Sequence, residues 1–348
     1  MSRAKARPSR RRLLQRASLS LGLCVVTAAL LTAAGLAYAR NRLNVERVDV
    51  GSALSPIEKA ASDNAPKTVE NYLLVGSDTR ATADPTSPDY KSIGNVAGQR
   101  SDTIMVMRFD PVTGAAALLS LPRDLWVTIA GTGQKAKINA AYAKGPGTLI
   151  ETVKQDFNIP IHHYVEVDFQ GFKRIVDALG GITVCFDTPA RDRNTGLYID
   201  SAGCHELDGI GALQYVRSRH YEVLTKGKWK ETGDDRDRIK RQQAFLKAAL
   251  DKAVSKAGSD PVAAAALLGA ATSSLKADPG LNLAGLASKF RAVSGGNLQT
   301  CTIPNNSANI PGQSALVMDS AKAQPILDYF RGTAASIDCG AAPATSGG

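Results

Sequence analysis

Arginine and aspartate recur beside turn residues at five places in this chain. These are Gly76-Ser77-Asp78-Thr79-Arg80, Arg100-Ser101-Asp102-Thr103, Ser120-Leu121-Pro122-Arg123-Asp124, Tyr215-Val216-Arg217-Ser218-Arg219 and the run from Asp235 to Gln243. Several guanidiniums directed into one cleft repel one another unless an anion sits among them. The planar fork of arginine matches phosphate oxygens with two parallel hydrogen bonds. Two carboxylates beside such a cluster, Asp78 and Asp102, suit a hard cation such as Mg2+ (or Mn2+), which binds one or two carboxylates together with phosphate oxygens. Arg238 and Arg241 stand three apart, so on a helix they share a face that Gln242 borders. The ligand implied is Mg2+–pyrophosphate. Plainer roles exist for the same residues: a solvated helix face for Arg238 and Arg241, turn caps for Asp78 and Asp102, a surface salt bridge at Arg123-Asp124. Spacing alone does not bring the five clusters together. Other chemistries lack their residues: there is no GxSxG, Walker-type or GxGxxG sequence, and His162, His163, His205 and His220 show no metal spacing.

The clusters sit at the ends of predicted elements. Asn71 to Val75 reads as a buried strand ending at Gly76, followed by a polar loop of the length that is usually functional. Thr103–Phe109 and Ala115–Leu121 read as strands joined by the turn Asp110-Pro111-Val112-Thr113-Gly114. Trp126–Ile129 is a short strand, and Ile138–Lys144 and Thr148–Asn158 are helical. His163–Asp168 alternates like a strand. Phe169, Phe172, Ile175, Val176 and Leu179 then recur at helical spacing and stop at Gly180-Gly181. Ile182–Phe186 is a strand, and Gly209–Tyr215 and Arg238–Leu250 are helices, with a break near Gly258-Ser259-Asp260-Pro261. Arg217 and Arg219 are expected to point the same way on a strand-like segment. Residues 221–233, with Lys226, Lys228, Trp229 and Lys230, form a basic loop. Strands interleaved with helices indicate an α/β (α+β) domain.

The chain has 348 residues and a formal net charge of +10, but the charge is unevenly placed. Residues 1–16 carry Arg3, Lys5, Arg7, Arg10, Arg11, Arg12 and Arg16 and no acidic side chain, which leaves the body near neutral. Residues 17–39 follow without a charge, long enough as a helix (about 35 Å) to cross a hydrocarbon core of about 30 Å. Basic residues before the first apolar span keep that side in the cytoplasm. A cleaved signal peptide ending at Leu36-Ala37-Tyr38-Ala39 is the alternative, although the apolar run exceeds the usual h-region of about 7–15 residues. Either way the body lies outside the cytoplasm, away from nucleic acid. The expected organisation is a cytoplasmic tail (1–16), a transmembrane helix (17–39), a polar stalk (40–68), one extracytoplasmic domain (69–340) and a disordered tail (341–348). Cys185, Cys204, Cys301 and Cys339 then lie in an oxidising compartment, and proximity favours the pairs Cys185–Cys204 and Cys301–Cys339.

In order along the chain, these motifs resemble the LytR-CpsA-Psr (LCP) family. The match opens with Asn71–Arg80 and Arg100–Val106 and continues through Ser120–Asp124, Lys137–Tyr142, Tyr164–Phe172 and Ala178–Ile182. It ends with Leu207-Asp208-Gly209, Ala212–Arg219 and Arg238–Gln243. The resemblance implies a central mixed sheet flanked by helices behind one N-terminal transmembrane helix. It implies an Mg2+-dependent phosphotransferase that moves a glycopolymer from a polyprenyl-pyrophosphate carrier to a peptidoglycan hydroxyl. Carried over residue by residue, Asp78 and Asp102 match the family's metal ligands. Arg100, Arg123, Arg217, Arg219, Arg238 and Arg241, with Gln242, match its pyrophosphate set, and Lys137 and Arg80 are further candidates. An apolar lipid tunnel would lie between sheet and helices, with Phe169, Phe172, Ile175 and Leu179 as lining or, equally, as ordinary core. The chain departs from the family at Asp237, where a glycine is usual, in the long basic stretch 221–233, and at Gly145-Pro146-Gly147. A pyrophosphatase using water as acceptor and a non-catalytic lipid- or glycan-binding scaffold remain alternatives.

Overall fold

Continuous apolar runs along two central strands, whose successive side chains face opposite cores, set the architecture. The computed structural model describes residues 45–57, 69–78, 85–90, 101–232, 234–282, 298–310 and 312–339. The tail and apolar span expected at 1–39, and the C-terminal tail 341–348, lie outside the described residues, as does Arg100. In chain order the strands are β1 (Glu46–Arg47), β2 (Glu70–Ser77), β3 (Ser101–Phe109), β4 (Ala116–Ser120), β5 (Trp126–Thr128) and β6 (Lys135–Lys137). After two helices, α1 (Asn139–Tyr142) and α2 (Pro146–Phe157), come β7 (His163–Asp168), α3 (Phe169–Leu179), β8 (Ile182–Phe186), β9 (Ala190–Asp192), β10 (Leu197–Ile199) and β11 (Gly203–Leu207). Then follow α4 (Gly209–Arg217), β12 (Glu222–Thr225), β13 (Lys228–Glu231), α5 (Asp235–Ser259), α6 (Pro261–Thr272) and β14 (Leu275–Ala277). The described chain closes with β15 (Leu298–Thr302), β16 (Asn305–Ile310), β17 (Gln313–Met318) and α7 (Ser320–Arg331).

Seven strands form one mixed sheet in the order β1-β14-β7-β2-β3-β4-β15. Leu73 and Val75 of β2 face a core with Ile104, Val106, Leu119 and, from α2 and α7, Phe157 and Phe330. Their neighbour Tyr72 faces the other way, into a second core with Met105, Met107 and Leu118, against which Leu246 and Leu250 of α5 pack. Helices therefore cover both faces of the sheet, as expected for strands that alternate apolar residues on both sides. A third core joins α3 and α4 to the β8–β11 pair: Phe169, Val176, Leu179, Ile182, Leu213 and Phe245 meet there. The side chains weighed as tunnel lining, Phe169 and Leu179, are buried in it, with Phe172 and Ile175 packed at its edge.

Local signals set most boundaries. Asp110 and Ala115 close the β3–β4 turn, with Gly114 at φ +71°. Asp168 caps α3 by accepting from the Gly171 amide at 2.7 Å, and α3 ends on Gly180 at φ +78°. Asp260 ends α5 and caps α6, so the expected break is present. Both disulfides form as proximity suggested. Cys185 and Cys204 are directly opposite in the β8–β11 pair, and Cys301 of β15 bonds Cys339 near the described C-terminus.

Three expectations are corrected. Residues 45–57, read as part of a stalk, lie on the domain: β1 pairs with β14, and Val45, Val50 and Ala53 are buried. Their apolar side chains recur too sparsely to register as an element, yet each finds a core to join. Residues 221–233 are not a loop. Glu222–Thr225 and Lys228–Glu231 pair antiparallel around Lys226 (φ +49°) and Gly227 (φ +74°), a two-residue turn of the primed hairpin type. Arg217 and Arg219 are not on a strand. Arg217 is the last residue of α4, and Ser218 (φ −59°, ψ 127°) turns the chain out of the helix before Arg219.

Candidate active site

The site lies along the sheet edge where β2, β4 and β7 end and β3 begins. Pairing fixes this edge: Ser77 is opposite both Ser101 and Asp168, and Ser120 is opposite Met105. The β2–β3 register shifts between Gly76 and Ser77, leaving Asp102 without a counterpart on β2. A bulge of this kind re-aims a side chain at the end of a strand. Asp78 follows β2 directly and is buried. The two expected metal ligands thus stand at the ends of adjacent strands.

Arg123, just past β4, forms an ion pair with Asp102, and its Nε lies 3.7 Å from Asp124. Lys137 binds Asp124 at 2.9 Å on the same rim. Opposite stands the amino end of α5, capped by Asp234, which accepts from the amides of Arg236 and Asp237. This first turn presents Arg238, which is 3% exposed. Its guanidinium grips Asp235 through two contacts, at 3.0 and 3.1 Å, and Arg219 reaches the same carboxylate at 3.0 Å. Asp102, Ser120, Arg123, Arg238 and Gln242 line one small recess.

Electrostatically this recess is short of negative charge. Burial pushes the Arg238 guanidinium down to about 10, against the pull of Asp235, and the positive charges of Arg219 and Arg123 add to the push. The Nε atoms of Arg123, Arg238 and Arg241 are buried and find no acceptor among the described residues. An oxyanion in the recess would supply both the missing charge and the missing acceptors.

The remaining arginines flank this centre. Arg241 donates to the Ser218 carbonyl at 2.5 Å and lies 4.7 Å over the Tyr221 ring, behind the segment that carries Arg219. Burial lowers its guanidinium as well, against the opposing pull of Tyr215 and Tyr221. Arg217 lies 4.6 Å over the Phe169 ring, beside the end of β7. Gln242 donates to the Val216 carbonyl at 3.2 Å, tying α5 to the last turn of α4.

Two supporting carboxylates escaped the sequence. Asp235 bridges Arg219 and Arg238; its i, i+3 spacing to Arg238 was the available signal. Asp192, fully buried on β9, accepts from Ser218 Oγ at 2.6 Å and from the amides of Arg219 and His220 at 3.0 Å. Burial would raise its carboxyl, but hydrogen bonds from Ser218, Asn194, Thr195 and His220 outweigh that and hold it below the ordinary range. Its local bonds to the Asn194 and Thr195 amides read as an ordinary turn, and the partners that tie it to the site, Ser218, Arg219 and His220, are more than 25 residues away. Gln243 closes the Arg238–Gln243 motif. It donates to Ser120 Oγ, the Cys301 carbonyl and Thr302 Oγ1, fastening α5 to the ends of β4 and β15.

The LytR_cpsA_psr family profile matches residues 35–330. The chain belongs to this family. Among curated relatives, the probable cell wall biosynthesis protein LcpB of Corynebacterium glutamicum is 40% identical over 187 residues, covering 53% of this chain and 42% of the relative. The cell wall biosynthesis protein LcpA of the same organism is 30% identical over 282 residues, 72% of this chain and 52% of the relative. The chain thus spans about half the length of these family members. The solved LytR-Csp2A-Psr enzyme of Actinomyces oris shares the fold with a TM-score of 0.63 at 26% identity, covering 82% of this chain and 96% of that one. The family fold is therefore the mixed α/β sheet described above.

Proposed function

We propose that this protein is a phosphotransferase that moves a glycopolymer from a polyprenyl-pyrophosphate carrier to a peptidoglycan hydroxyl. The observation that carries the reading is the buried Arg238, which shares a recess with Arg123 and the Asp235 carboxylate with Arg219, the Nε donors of Arg123 and Arg238 being unmet among the described residues. The acceptor oxygen attacks the glycan-bearing phosphorus and loses its proton. The P–O–P bridge breaks, and polyprenyl phosphate leaves with the bridging oxygen. Reactions of this type need positioning and charge neutralisation more than covalent help. Arg123, Arg219 and Arg238 hold the diphosphate oxygens, Gln242 borders the recess, and Asp235 keeps two of the guanidiniums in register. Relatives in Bacillus subtilis and Oceanobacillus iheyensis are named polyisoprenyl-teichoic acid–peptidoglycan teichoic acid transferases, which supports this reaction class.

Asp78 and Asp102 fit a hard divalent cation: two carboxylates at neighbouring strand ends, with the rest of the shell left to water and phosphate oxygens. When bound, the ion would neutralise charge on the diphosphate. Residues 17–39 are proposed as the membrane anchor that keeps the domain outside the cytoplasm, beside its lipid-linked donor. Among the described residues no helix is long and apolar enough to cross a membrane.

The test is full-length protein given a synthetic polyprenyl-pyrophosphate glycan, Mg2+ and peptidoglycan oligomers, with products read by mass spectrometry. A phosphodiester-linked glycan on peptidoglycan, lost with chelator and reduced about 100-fold or more in Arg123→Ala, is expected. Glycan phosphate released equally fast without acceptor would mean a pyrophosphatase. Binding without turnover would mean a scaffold.

A further inference from the structure

The hairpin that replaced the expected basic loop builds a surface the reaction centre does not use. Strands β10, β9, β12 and β13 form a four-stranded antiparallel sheet. Tyr198 is opposite Arg191, Arg191 opposite Glu222, and Glu222 opposite Glu231, so these side chains share one face. Trp229, two residues before Glu231, belongs to that face as well. The other face carries Ala190, Asp192, Leu197 and Ile199, all buried against the domain.

The outward face is ordered and chemically mixed. Arg191 forms an ion pair with Glu222 and lies 4.1 Å over the Trp229 ring. Tyr198 is 6.5 Å from Trp229 between ring centroids and 65% exposed. His220 meets Glu231 at 2.8 Å. Two aromatic faces beside fixed hydrogen-bonding groups suit a sugar chain. The C–H side of a pyranose stacks on the negative face of a ring, while its hydroxyls and amides meet the flanking charges. The sheet is also rigidly joined to the arginine cluster. Asp192 of β9 holds the Arg219 and His220 amides, and Tyr221, which leads into β12, lies under Arg241.

We propose that this face is the docking platform for the amino-sugar strand of the peptidoglycan acceptor, an assignment that rests on the transferase reading. Charge selects the acceptor over the donor polymer. Glu222 is paired with Arg191 and Glu231 with His220, which leaves little on the face to attract a chain with a phosphate on every repeat. Uncharged rings whose carboxylates project sideways on peptide arms are tolerated, and the exposed Lys226 at the turn can meet those carboxylates.

Trp126 and Trp229 are the only tryptophans of the chain, so full-length Trp126→Phe protein reports on Trp229 alone. Peptidoglycan oligomers are expected to change its emission saturably. Tyr198→Ala should weaken that response about fivefold, and Tyr198→Phe should keep it. In the transfer assay Tyr198→Ala should raise the acceptor KM about fivefold with kcat within about twofold, whereas a purely structural role would lower kcat and the melting temperature. An unchanged Trp229 emission, or a wild-type acceptor KM in Tyr198→Ala while transfer remains Arg123-dependent, overturns the platform. An equal response to a polyol-phosphate chain overturns the assignment to the acceptor. A response to peptidoglycan oligomers without transfer would leave the platform standing and remove the transferase reading instead.

Discussion

At the scale of single residues, the site is organised by carboxylates that hold arginines rather than by arginines alone. Arg238 is the most exacting case, because its charge is buried and the pull of Asp235 and Asp102 does not outweigh that burial. Its folded value of about 10 lies below the ordinary 12.5, so between those values the unfolded chain binds more protons. The cost of burying this charge is present below about pH 10 and is relieved as pH rises through that value. An anion bound in the recess pulls Arg238 back toward its charged form. Inorganic pyrophosphate should therefore raise the melting temperature at pH 8, and the increment should shrink as pH rises through about 10; an increment that stays constant to pH 11 would remove Arg238 from the anion site. Asp192 has the opposite sign. Its depressed value contributes stability present at neutral pH and lost as pH falls through that value. Asp192→Ala should cost about 3 kcal/mol in denaturant unfolding and weaken pyrophosphate binding, because Ser218 and two amides lose their acceptor.

Elements converge on the site because their ends are pinned. Helix α5 delivers Arg238, Arg241 and Gln242 from its first two turns, while Gln243 anchors the same turns to β4 and β15. Helix α3 approaches the end of α6 so closely that a Cβ at Gly171 would lie 2.3 Å from the Ser274 carbonyl oxygen. Gly171→Ala must push the two apart, with an expected loss of about 1–3 kcal/mol in thermal or denaturant unfolding. Arg217 packs over Phe169 at the start of α3, so the same variant should also lower transfer activity through that contact.

At the scale of the whole molecule, the compact unit begins at Val45, well before the first strand legible in the sequence. Strand β1 adds to the sheet beside β14, and Val50 and Ala53 enter the core that holds Leu73 and Phe157. A soluble form starting at residue 45 should therefore fold with full stability. One starting at residue 58 should lose several kcal/mol, since it forfeits three buried apolar side chains and a strand pairing. Melting curves of the two truncations decide this, and equal midpoints would return residues 45–57 to a stalk.

The sequence by itself determined what depends on neighbours along the chain. The buried run of β2, the alternation in β7, the Asp110–Gly114 turn, the Gly180 stop, the break before α6 and both disulfide partners were legible there. Each is an interaction spanning a few residues, or a pair close in the chain. The order of the motifs also carried the family. Only the tertiary structure decided which clusters meet. Asp102, Arg123 and Arg238 share a recess because antiparallel pairing of β3 and β4 sets the first two side by side and α5 crosses the sheet above them. Asp192 and Asp235 gained their roles from partners brought to them by that packing. The Lys226-Gly227 turn was hidden because lysine is an unusual occupant of a left-handed position. Strands β1 and β15 were invisible for a different reason: each joins the sheet by parallel pairing to a strand distant in sequence. Contacts of that kind are selected by burial across the whole core, and no local pattern encodes them.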